Sequence, residues 1–400
     1  MFMKLNKLAL AVTISMTSSL VAAHGHNHDH EAKENKLDLD KVDFSYEINL
    51  EGSYQSDKKF SSEASKGVSL GHTELSVEAK HEFTRGVITT ALAEHSHGHS
   101  HGHDHSHDSK TEIELEEAFF EILPSVSDYG ISAKLGRMKS AFGEYNKYHS
   151  HDFDFTDKPI VYRQIFGSEY VDDGASVSIA LPAINTSLTY EALKGSDLIG
   201  KGHEDQASIG IQTLTSHSEL SLTDHIKAEA NLGMMLNRHG DNDWRDIIGN
   251  TKQSWHLGTA GRTYLVGGKL SFYNVAPIGI DNDLVFSAEN FYQDDLTSDK
   301  YSDTTKKRNN GFHTAAIYQL DKKWKVGYRV SQMNQTMNFS GEKDDFHKMV
   351  VREHDIMLSW VPLPRSELIA EYTRGETYLK SDPSPKFGNN IYKVSYRYSF

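Results

Sequence analysis

Two short tracts of the sequence carry histidine at every second position. The histidines are His24, His26, His28 and His30 in the first tract and His95, His97, His99, His101, His103, His105 and His107 in the second. In extended backbone every second side chain points the same way, so successive imidazoles lie about 6.5–7 Å apart. Imidazole binds Zn²⁺, Cu²⁺ and Ni²⁺. The spacing therefore predicts weak, exchanging metal sites, with Zn²⁺ as the expected ion and Ni²⁺ or Cu²⁺ as alternatives. A solvated low-complexity loop without selected ligands is the other interpretation.

The composition excludes several kinds of chemistry. The chain has 400 residues and no cysteine, which excludes a disulfide scaffold, a thiolate zinc site, an iron–sulfur cluster and a cysteine nucleophile. It carries 42 Lys and Arg against 56 Asp and Glu, a net charge of −14, which argues against nucleic acid as a partner. No organic cofactor is expected.

The first 23 residues have the pattern of a secretory signal peptide. Lys4 and Lys7 form a positive region, residues 8–20 form a short apolar stretch, and residues 21–23 offer small side chains for cleavage. Cleavage after Ala23 leaves a His-rich segment, residues 24–42, which we expect in the periplasm. An uncleaved membrane anchor is the alternative, although Ser and Thr residues interrupt the apolar stretch.

The remaining chain alternates between apolar and polar residues with a period of two. Ile226, Ala228 and Ala230, for example, alternate with Lys227 and Glu229. One apolar face and one wet face are typical of a strand in an outer-membrane barrel. Sixteen candidate strands show this pattern, near residues 43–51, 68–82, 86–94, 111–122, 129–138, 174–181, 186–193, 206–221, 225–237, 262–274, 283–292, 311–320, 324–333, 351–361, 366–374 and 390–400.

The connections between these candidates alternate in length. The short ones contain turn residues and most of the prolines. The long ones are polar and cover residues 52–67, 95–110, 139–173, 194–205, 238–261, 293–310, 334–350 and 375–389. We therefore predict that residues 43–400 form an all-β transmembrane antiparallel β-barrel of about 16 strands, with short periplasmic turns and long extracellular loops. This architecture predicts the outer membrane of a Gram-negative bacterium, with outer-membrane lipid as a partner. A soluble β-sandwich or propeller is the alternative.

The chain ends in alternating aromatic residues. Tyr396, Tyr398 and Phe400 share one face of the last candidate strand. This ending resembles the assembly signal of bacterial outer-membrane proteins, which implies the barrel-assembly machinery as a partner. On this interpretation the three rings face lipid at the periplasmic edge, where aromatic girdles lie.

Residues 129–182 carry a further set of motifs. A strand leads into Gly136-Arg137-x-Lys139-x-x-Phe142-Gly143, and the motifs that follow are Asp157-x-Pro159, Phe166-Gly167 and Asp172-Asp173-Gly174-Ala175. Together with the signal peptide and the terminal strand, they resemble the bacterial outer-membrane porin family. The closest resemblance is to small His-rich porins associated with zinc, sometimes labelled zinc-regulated TonB-dependent outer membrane receptors. The resemblance implies a channel and allows a homotrimer. TonB is not expected as a partner, because residues 24–42 are too few for a plug domain.

The longest predicted loop, residues 139–173, contains three further candidate metal ligands, His149, His151 and Asp152. In general porins the third long loop folds inward, so the resemblance implies a cation-attracting eyelet here. An outward acidic loop is the alternative. Isolated histidines such as His72 and His81 are expected to be ordinary barrel residues.

These observations predict an outer-membrane porin for the uptake of a divalent metal, with zinc as the expected ion and the His-rich segments capturing it. A surface metal-binding receptor or adhesin without conduction is one alternative, and a general porin for small solutes is another. An enzyme is not expected, because barrel proteases and phospholipases need a fixed Ser/His or Asp/His constellation, usually on a smaller barrel.

Overall fold

A computed structural model describes most of the region that was predicted to form the barrel. The described residues are 41–57, 66–95, 110–124, 130–167, 169–195, 209–237, 260–274, 282–297, 305–338 and 346–400. The predicted signal peptide, the tract His24–His30 and the histidines from 97 to 107 lie outside the described residues. No helix among the described residues is long and apolar enough to cross a membrane.

Among the described residues, seventeen strand segments form one sheet. They are β1 (Asp43–Gln55), β2 (Gly67–Leu70), β3 (Thr73–His81), β4 (Thr84–His95), β5 (Lys110–Ile122), β6 (Ile131–Lys139), β7 (Val171–Leu181), β8 (Thr186–Leu193), β9 (Ile211–Thr223), β10 (Ile226–Asn237), β11 (Ala260–Phe272), β12 (Leu284–Thr297), β13 (Thr305–Gln319), β14 (Trp324–Asn338), β15 (Phe346–Trp360), β16 (Ser366–Leu379) and β17 (Asp382–Ser399).

The sheet closes into a barrel. Each strand pairs antiparallel with the next along the chain, and β1 pairs with β17. Both β2 and β3 pair with β1, so these two segments together form one strand of the wall. The wall therefore has sixteen strands, and the predicted fold class is confirmed.

The two faces of the wall differ in chemistry. On β17, Tyr392, Val394 and Tyr396 are exposed on the outside, whereas Lys393 and Arg397 are buried on the inside. Trp324 and Trp360 stack on each other near the short-turn end, where an aromatic girdle is expected. An apolar outside and a polar lumen require lipid around the barrel, because side chains on the outer face cannot be buried within the chain.

The prediction of a long loop at residues 375–389 is wrong. Strand β16 continues to Leu379, residues 380–381 form a tight turn, and β17 begins at Asp382. Two prolines, Pro383 and Pro385, therefore lie within β17. Their missing N–H groups are tolerated because residues 382–391 extend beyond the part of β17 that pairs with β1. Several other strands also begin earlier or end later than predicted. Hydrogen-bonded strands can continue in water, beyond the stretch in which lipid imposes an apolar pattern.

The connection between β6 and β7 lies inside the barrel. It forms two 3₁₀ turns, Glu144–Asn146 and Ser150–Asp152, and the short helix α1 (Ile160–Phe166), whose residues are all buried. Its apolar side chains pack with inward residues of the wall, and this cluster comprises Phe142, Val161, Tyr162, Ile165, Phe166, Tyr170, Leu193, Ile211, Met235, Leu265, Phe291 and Met333. The burial of the loop's apolar side chains contributes on the order of 10 kcal/mol to docking, at about 1.5–3 kcal/mol each. The sequence left the direction of this loop open, and the structure places it inward.

Candidate functional site in the barrel lumen

Buried ion pairs and hydrogen bonds fasten the loop to the late strands of the barrel. The Arg163 guanidinium Nη2 lies 2.5 Å from Oε1 of Glu353, and both side chains are almost fully buried. The backbone N–H of Thr156 donates to Oε2 of Glu371 at 2.7 Å. Arg397 donates through Nη1 to the carbonyl oxygen of Phe153 at 2.7 Å. Since a buried charge is costly without a partner, these contacts fix the position of the loop across the lumen.

A second network joins the loop to β12 and β13. The Tyr162 hydroxyl donates to Oε2 of Glu289 at 2.6 Å, and Nε2 of His313 lies 2.8 Å from the same oxygen. The backbone N–H of Glu144 donates to the other carboxylate oxygen of Glu289 at 3.0 Å. Burial, and then the negative charge of Glu289, raises the pKa of Tyr162 well above its ordinary value. Tyr162 therefore stays protonated and acts as a hydrogen-bond donor.

A cluster of histidine and glutamate lies where the loop meets β3 and β5. We call it the His–Glu cluster; its members are His72, Glu74, Glu116, His149 and His151. Nε2 of His72 lies 2.9 Å from Oε1 of Glu74 and also contacts Oε1 of Glu116. Nδ1 of His149 and Nδ1 of His151 each lie 3.1 Å from Oε2 of Glu74. The cluster therefore joins two strands of the wall to the inward loop.

Two β-bulges aim the wall residues of the cluster into the lumen. Between β2 and β3, residues 71–73 face only residues 50–51 of β1, because the register changes by one residue. In β5 the register against β4 changes between Thr89 and Thr90, so Glu116 is an extra residue. As a result both Glu116 and Glu117 are buried. Side chains face outward at odd-numbered positions up to Leu115 and at even-numbered positions from Phe120 onward. Bulges are frequent beside functional sites, where they redirect a side chain.

His149 carries a positive charge in the arrangement described. Burial lowers the pKa of His149, but contacts with Glu116, Glu117 and Glu74 outweigh burial and raise the pKa to about 11. Its Nε2 lies 3.1 Å from Oε2 of Glu117. The rings of His149 and His151 stack with centroids 5.5 Å apart. The three carboxylates in this part of the lumen thus attract positive charge.

The sequence-predicted ligands are only partly brought together. His149 and His151 join the cluster, whereas Asp152 is half-exposed and, among the described residues, contacts His151 at 3.6 Å between Oδ1 and Nε2. His95 ends β4. His72, expected to be an ordinary barrel residue, is not isolated, because two carboxylates contact its ring. The signal that was missed is a change in which positions carry the outward apolar side chains. These positions change from even-numbered (Val68, Leu70) to odd-numbered (Leu75) in one strand, and from odd-numbered (Leu115) to even-numbered (Phe120) in the other.

Two of the cavities formed by the described residues lie in the lumen beside the loop. The first has a volume of about 350 Å³ and is lined by hydroxyl groups, among them those of Ser132, Ser176, Ser178, Ser187, Thr189 and Thr215, and by equal numbers of glutamate and lysine side chains. The second has a volume of about 460 Å³ and is lined by more acidic than basic side chains, among them Glu144, Asp152, Asp154, Glu289 and Lys269. Both cavities are polar enough to hold water and small solutes.

A Gly-x-Ser-x-Gly pentapeptide, residues 67–71, does not form a nucleophile site. In hydrolases this motif makes a sharp strand-to-helix turn that exposes the serine. Here Ser69 lies within β2, and its hydroxyl lies 3.0 Å from the hydroxyl of Ser53 on the neighbouring strand. The pentapeptide therefore gives no support for hydrolase chemistry.

The aromatic terminus lies at the seam that closes the barrel. Tyr396 and Phe400 are exposed on the outside, and the rings of Tyr398 and Phe400 lie 4.7 Å apart. The backbone N–H of Phe400 donates to the carbonyl oxygen of Ile48 on β1 at 2.9 Å. The terminal residue is thus part of the closing ladder, and its role as an assembly signal stays a prediction.

Comparisons with known proteins concern the fold. No protein-family model matches the chain. A relative, an uncharacterized protein of Aquifex aeolicus (strain VF5), is 22% identical over 284 residues, which are 67% of this chain and 58% of that protein. Thus the match spans less than two thirds of the relative's length.

Solved structures of outer-membrane proteins superpose on the barrel. The outer membrane channel DcaP of Acinetobacter baumannii has a TM-score of 0.57 at 13% identity, covering 90% of this chain and 98% of that one. In its trimer form, OmpT of Vibrio cholerae has a TM-score of 0.54 at 13% identity, covering 90% and 99%. An anion-selective porin from Comamonas acidovorans has a TM-score of 0.52 at 9% identity, covering 90% and 100%. The chain therefore has the fold of bacterial outer-membrane porins and channels, which agrees with the predicted location in the outer membrane of a Gram-negative bacterium.

Proposed function

We propose that the protein is an outer-membrane porin that admits divalent metal ions, with zinc as its principal cargo. The observation that supports this proposal most directly is the inward loop, which brings His149 and His151 against Glu74 in the lumen. Imidazole and carboxylate groups facing a water-accessible path favour cations and, among them, borderline transition metals. The protein is not proposed to be an enzyme.

The fold alone does not decide ion selectivity, since an anion-selective porin shares it. The argument for cations rests on the side chains of the lumen. In the second of the two cavities described above, Glu144, Asp152, Asp154 and Glu289 outnumber the basic Lys269. Rings of acidic side chains favour cation passage, and the net charge of −14 acts in the same direction.

The strands that flank the His-rich tract support a role of the tract in capture. The tract connects β4 with β5, and His95 pairs with Lys110 where these strands end. Leu115, beside the extra residue Glu116, lies five residues further along β5, which is about 17 Å at 3.3 Å per residue. Metal held by the tract would therefore be concentrated at the mouth above the His–Glu cluster.

Planar-bilayer recording tests this proposal. We expect open channels whose reversal potential in a Zn²⁺/Na⁺ gradient shows a preference for Zn²⁺. A variant with serine at the seven histidines from 95 to 107 serves as the control, since it should conduct Na⁺ normally but support less zinc uptake at low external zinc.

The same recordings separate the two alternatives. A barrel that binds zinc but passes no current would be a surface receptor or adhesin, and a channel without preference among small ions would be a general porin. A homotrimer is also proposed, supported by the trimer form of the OmpT structure. Cross-linking in outer membranes would test it. TonB, which drives plugged receptors, is not proposed as a partner.

A further inference from the structure

We propose that His72, Glu74 and Glu116 form a divalent transition-metal site in the barrel wall, which the loop residues His149 and His151 close from inside the lumen. The inference rests on the proposed function for the identity of the ion, but it goes further by assigning the residues that bind it. It also assigns a structural consequence to binding, because the bound ion would join β3 and β5 to the loop.

The spacing of the ligand atoms fits one ion. One nitrogen of His72 and one oxygen each of Glu74 and Glu116 all lie within 4.8 Å of one another. Zinc bonds to nitrogen and oxygen of about 2.0–2.2 Å put tetrahedral ligand atoms about 3.4 Å apart. The two contacts of His72 with Glu74 and Glu116 are shorter than this and would have to lengthen around an ion, and no separation would have to shorten by more than about 1.4 Å. His149 is near enough to supply a fourth ligand if the ion displaces its proton, since its Nδ1 lies 3.1 Å from Oε2 of Glu74 and 3.0 Å from Nζ of Lys139.

The converging atoms lack the hydrogen bonds that buried polar groups normally make. Glu74 is 2% exposed and Glu116 is 8% exposed, yet Oε1 of Glu74 and Oε2 of Glu116 have no hydrogen-bond partner among the described residues. The same holds for Nε2 of His72, although Oε1 of Glu74 is only 2.9 Å away. These atoms are instead held in ion pairs within the cluster, in which an imidazole proton takes the place that a shared metal ion would occupy.

The wall is shaped to bring these side chains together. Two separate bulges, at residues 71–73 and at Glu116, are needed to turn the ligands inward. Ala91 lies between them on β4, paired with Glu74, and its buried methyl group leaves room for the two carboxylates to meet. Gly71, within the first bulge, lets the chain approach β1 closely, because a Cβ there would overlap Cγ of Glu51. A site that uses two bulges and the small residue Ala91 is a specific arrangement of the wall.

The donor set indicates the class of ion. Mg²⁺ and Ca²⁺ prefer oxygen ligands alone, whereas one or more imidazoles with two carboxylates suit Zn²⁺ and its first-row neighbours. We therefore expect Zn²⁺ to bind and Mg²⁺ at the same concentration to leave the site unfilled.

Zinc titration of a full-length variant without the His-rich tracts tests the site. Serine replaces the four histidines from 24 to 30 and the seven from 95 to 107, so the cluster is the main remaining site. Isothermal titration should then show one equivalent of Zn²⁺ per chain. His72→Gln in this background should remove that equivalent, and His81→Gln, on the same strand but away from the cluster, should keep it. No zinc binding by the tract-free variant, or equal binding by both glutamine variants, would overturn the proposal.

A cysteine probe gives a positive signal that does not depend on a loss of binding. The chain has no cysteine, so His72→Cys introduces a single thiol. With Co²⁺ added to the tract-free background, a thiolate-to-cobalt charge-transfer band should appear for His72→Cys and not for His81→Cys. Heat-modifiable gel mobility shows that each variant is folded. Absence of the band in folded His72→Cys would contradict the site.

Binding and conduction are measured separately, so the two proposals can fail independently. A barrel that binds one Zn²⁺ at the cluster but shows no preference for Zn²⁺ in bilayers would keep the metal site and refute the proposed cargo. A channel that prefers Zn²⁺ but whose zinc binding is unchanged in His72→Gln would keep the proposed cargo and refute the metal site.

Discussion

Replacing Gly143 by alanine should loosen the inward loop by an amount that the structure lets us calculate. Gly143 has φ of +95°, a conformation that costs a non-glycine residue about 1–3 kcal/mol. An added Cβ would also overlap the Tyr162 hydroxyl and lie 3.0 Å from its ring carbons Cε1 and Cζ. Displacing Tyr162 breaks its hydrogen bond to the buried Glu289, which costs about 1–3 kcal/mol more. The sum of about 2–6 kcal/mol is smaller than the apolar docking energy, so the loop should stay inside but open more often.

Hydrogen exchange measures that opening directly. Amide protons of α1 should exchange at least about 30-fold faster in Gly143→Ala, because 1.4 kcal/mol corresponds to a factor of ten. Gly86→Ala is the matched control, since a Cβ on Gly86 meets nothing within 4 Å. Equal exchange rates for α1 in the two variants would refute the reasoning, because the strain and the lost hydrogen bond would then have no effect on docking.

Three further changes test other parts of the molecule. Arg163→Met should lower the free energy of unfolding by about 3–5 kcal/mol, because it leaves Glu353 buried without its cation. The double variant Arg163→Met/Glu353→Met should recover most of the lost stability, because no buried charge is then left without a partner. Denaturant titration in detergent measures both variants, and equal losses of stability would contradict the prediction. Deletion of Phe400 should lower the yield of barrel in the outer membrane while signal cleavage continues, so an unchanged yield on immunoblots would count against the terminal signal. Zinc binding by the tract from 95 to 107 should weaken as pH falls through about 6.5, the ordinary pKa of histidine, because protons compete for the same nitrogens. Isothermal titration at several pH values should show a larger loss of bound zinc in the wild type than in the seven-serine variant, which keeps only the histidines from 24 to 30 in its tracts, and equal losses would contradict the prediction.

The strand pattern was predictable because lipid imposes a simple rule on every wall residue. Outward positions such as Tyr392 and Val394 must be apolar, so a period of two appears in the sequence and sixteen strands can be counted. Strand ends were less predictable, since strands such as β13 and β17 continue in water, where lipid imposes no pattern. The alternation rule therefore stops at the membrane boundary while the hydrogen-bonded ladder does not.

The candidate site was only half visible in the sequence. His149 and His151 were found because histidines are conspicuous in an acidic loop. His72, Glu74 and Glu116 were missed because their meeting depends on register, which is set by pairing with β1 and β4. A one-residue shift reverses the face of every later side chain, so the phase changes near Gly71 and Glu116 were the available signal.

The inward loop also constrains the order in which the barrel can assemble. Thr156 is held by Glu371, which follows it by 215 residues, and Phe153 is held by Arg397 on the last strand. Such distant contacts form late, because the intervening chain must first be ordered. Since Arg397 lies on the strand that closes the barrel against β1, we expect the loop to finish docking as the seam between β1 and β17 forms. Closure of the seam would then trap the loop kinetically as well as by its contact energy.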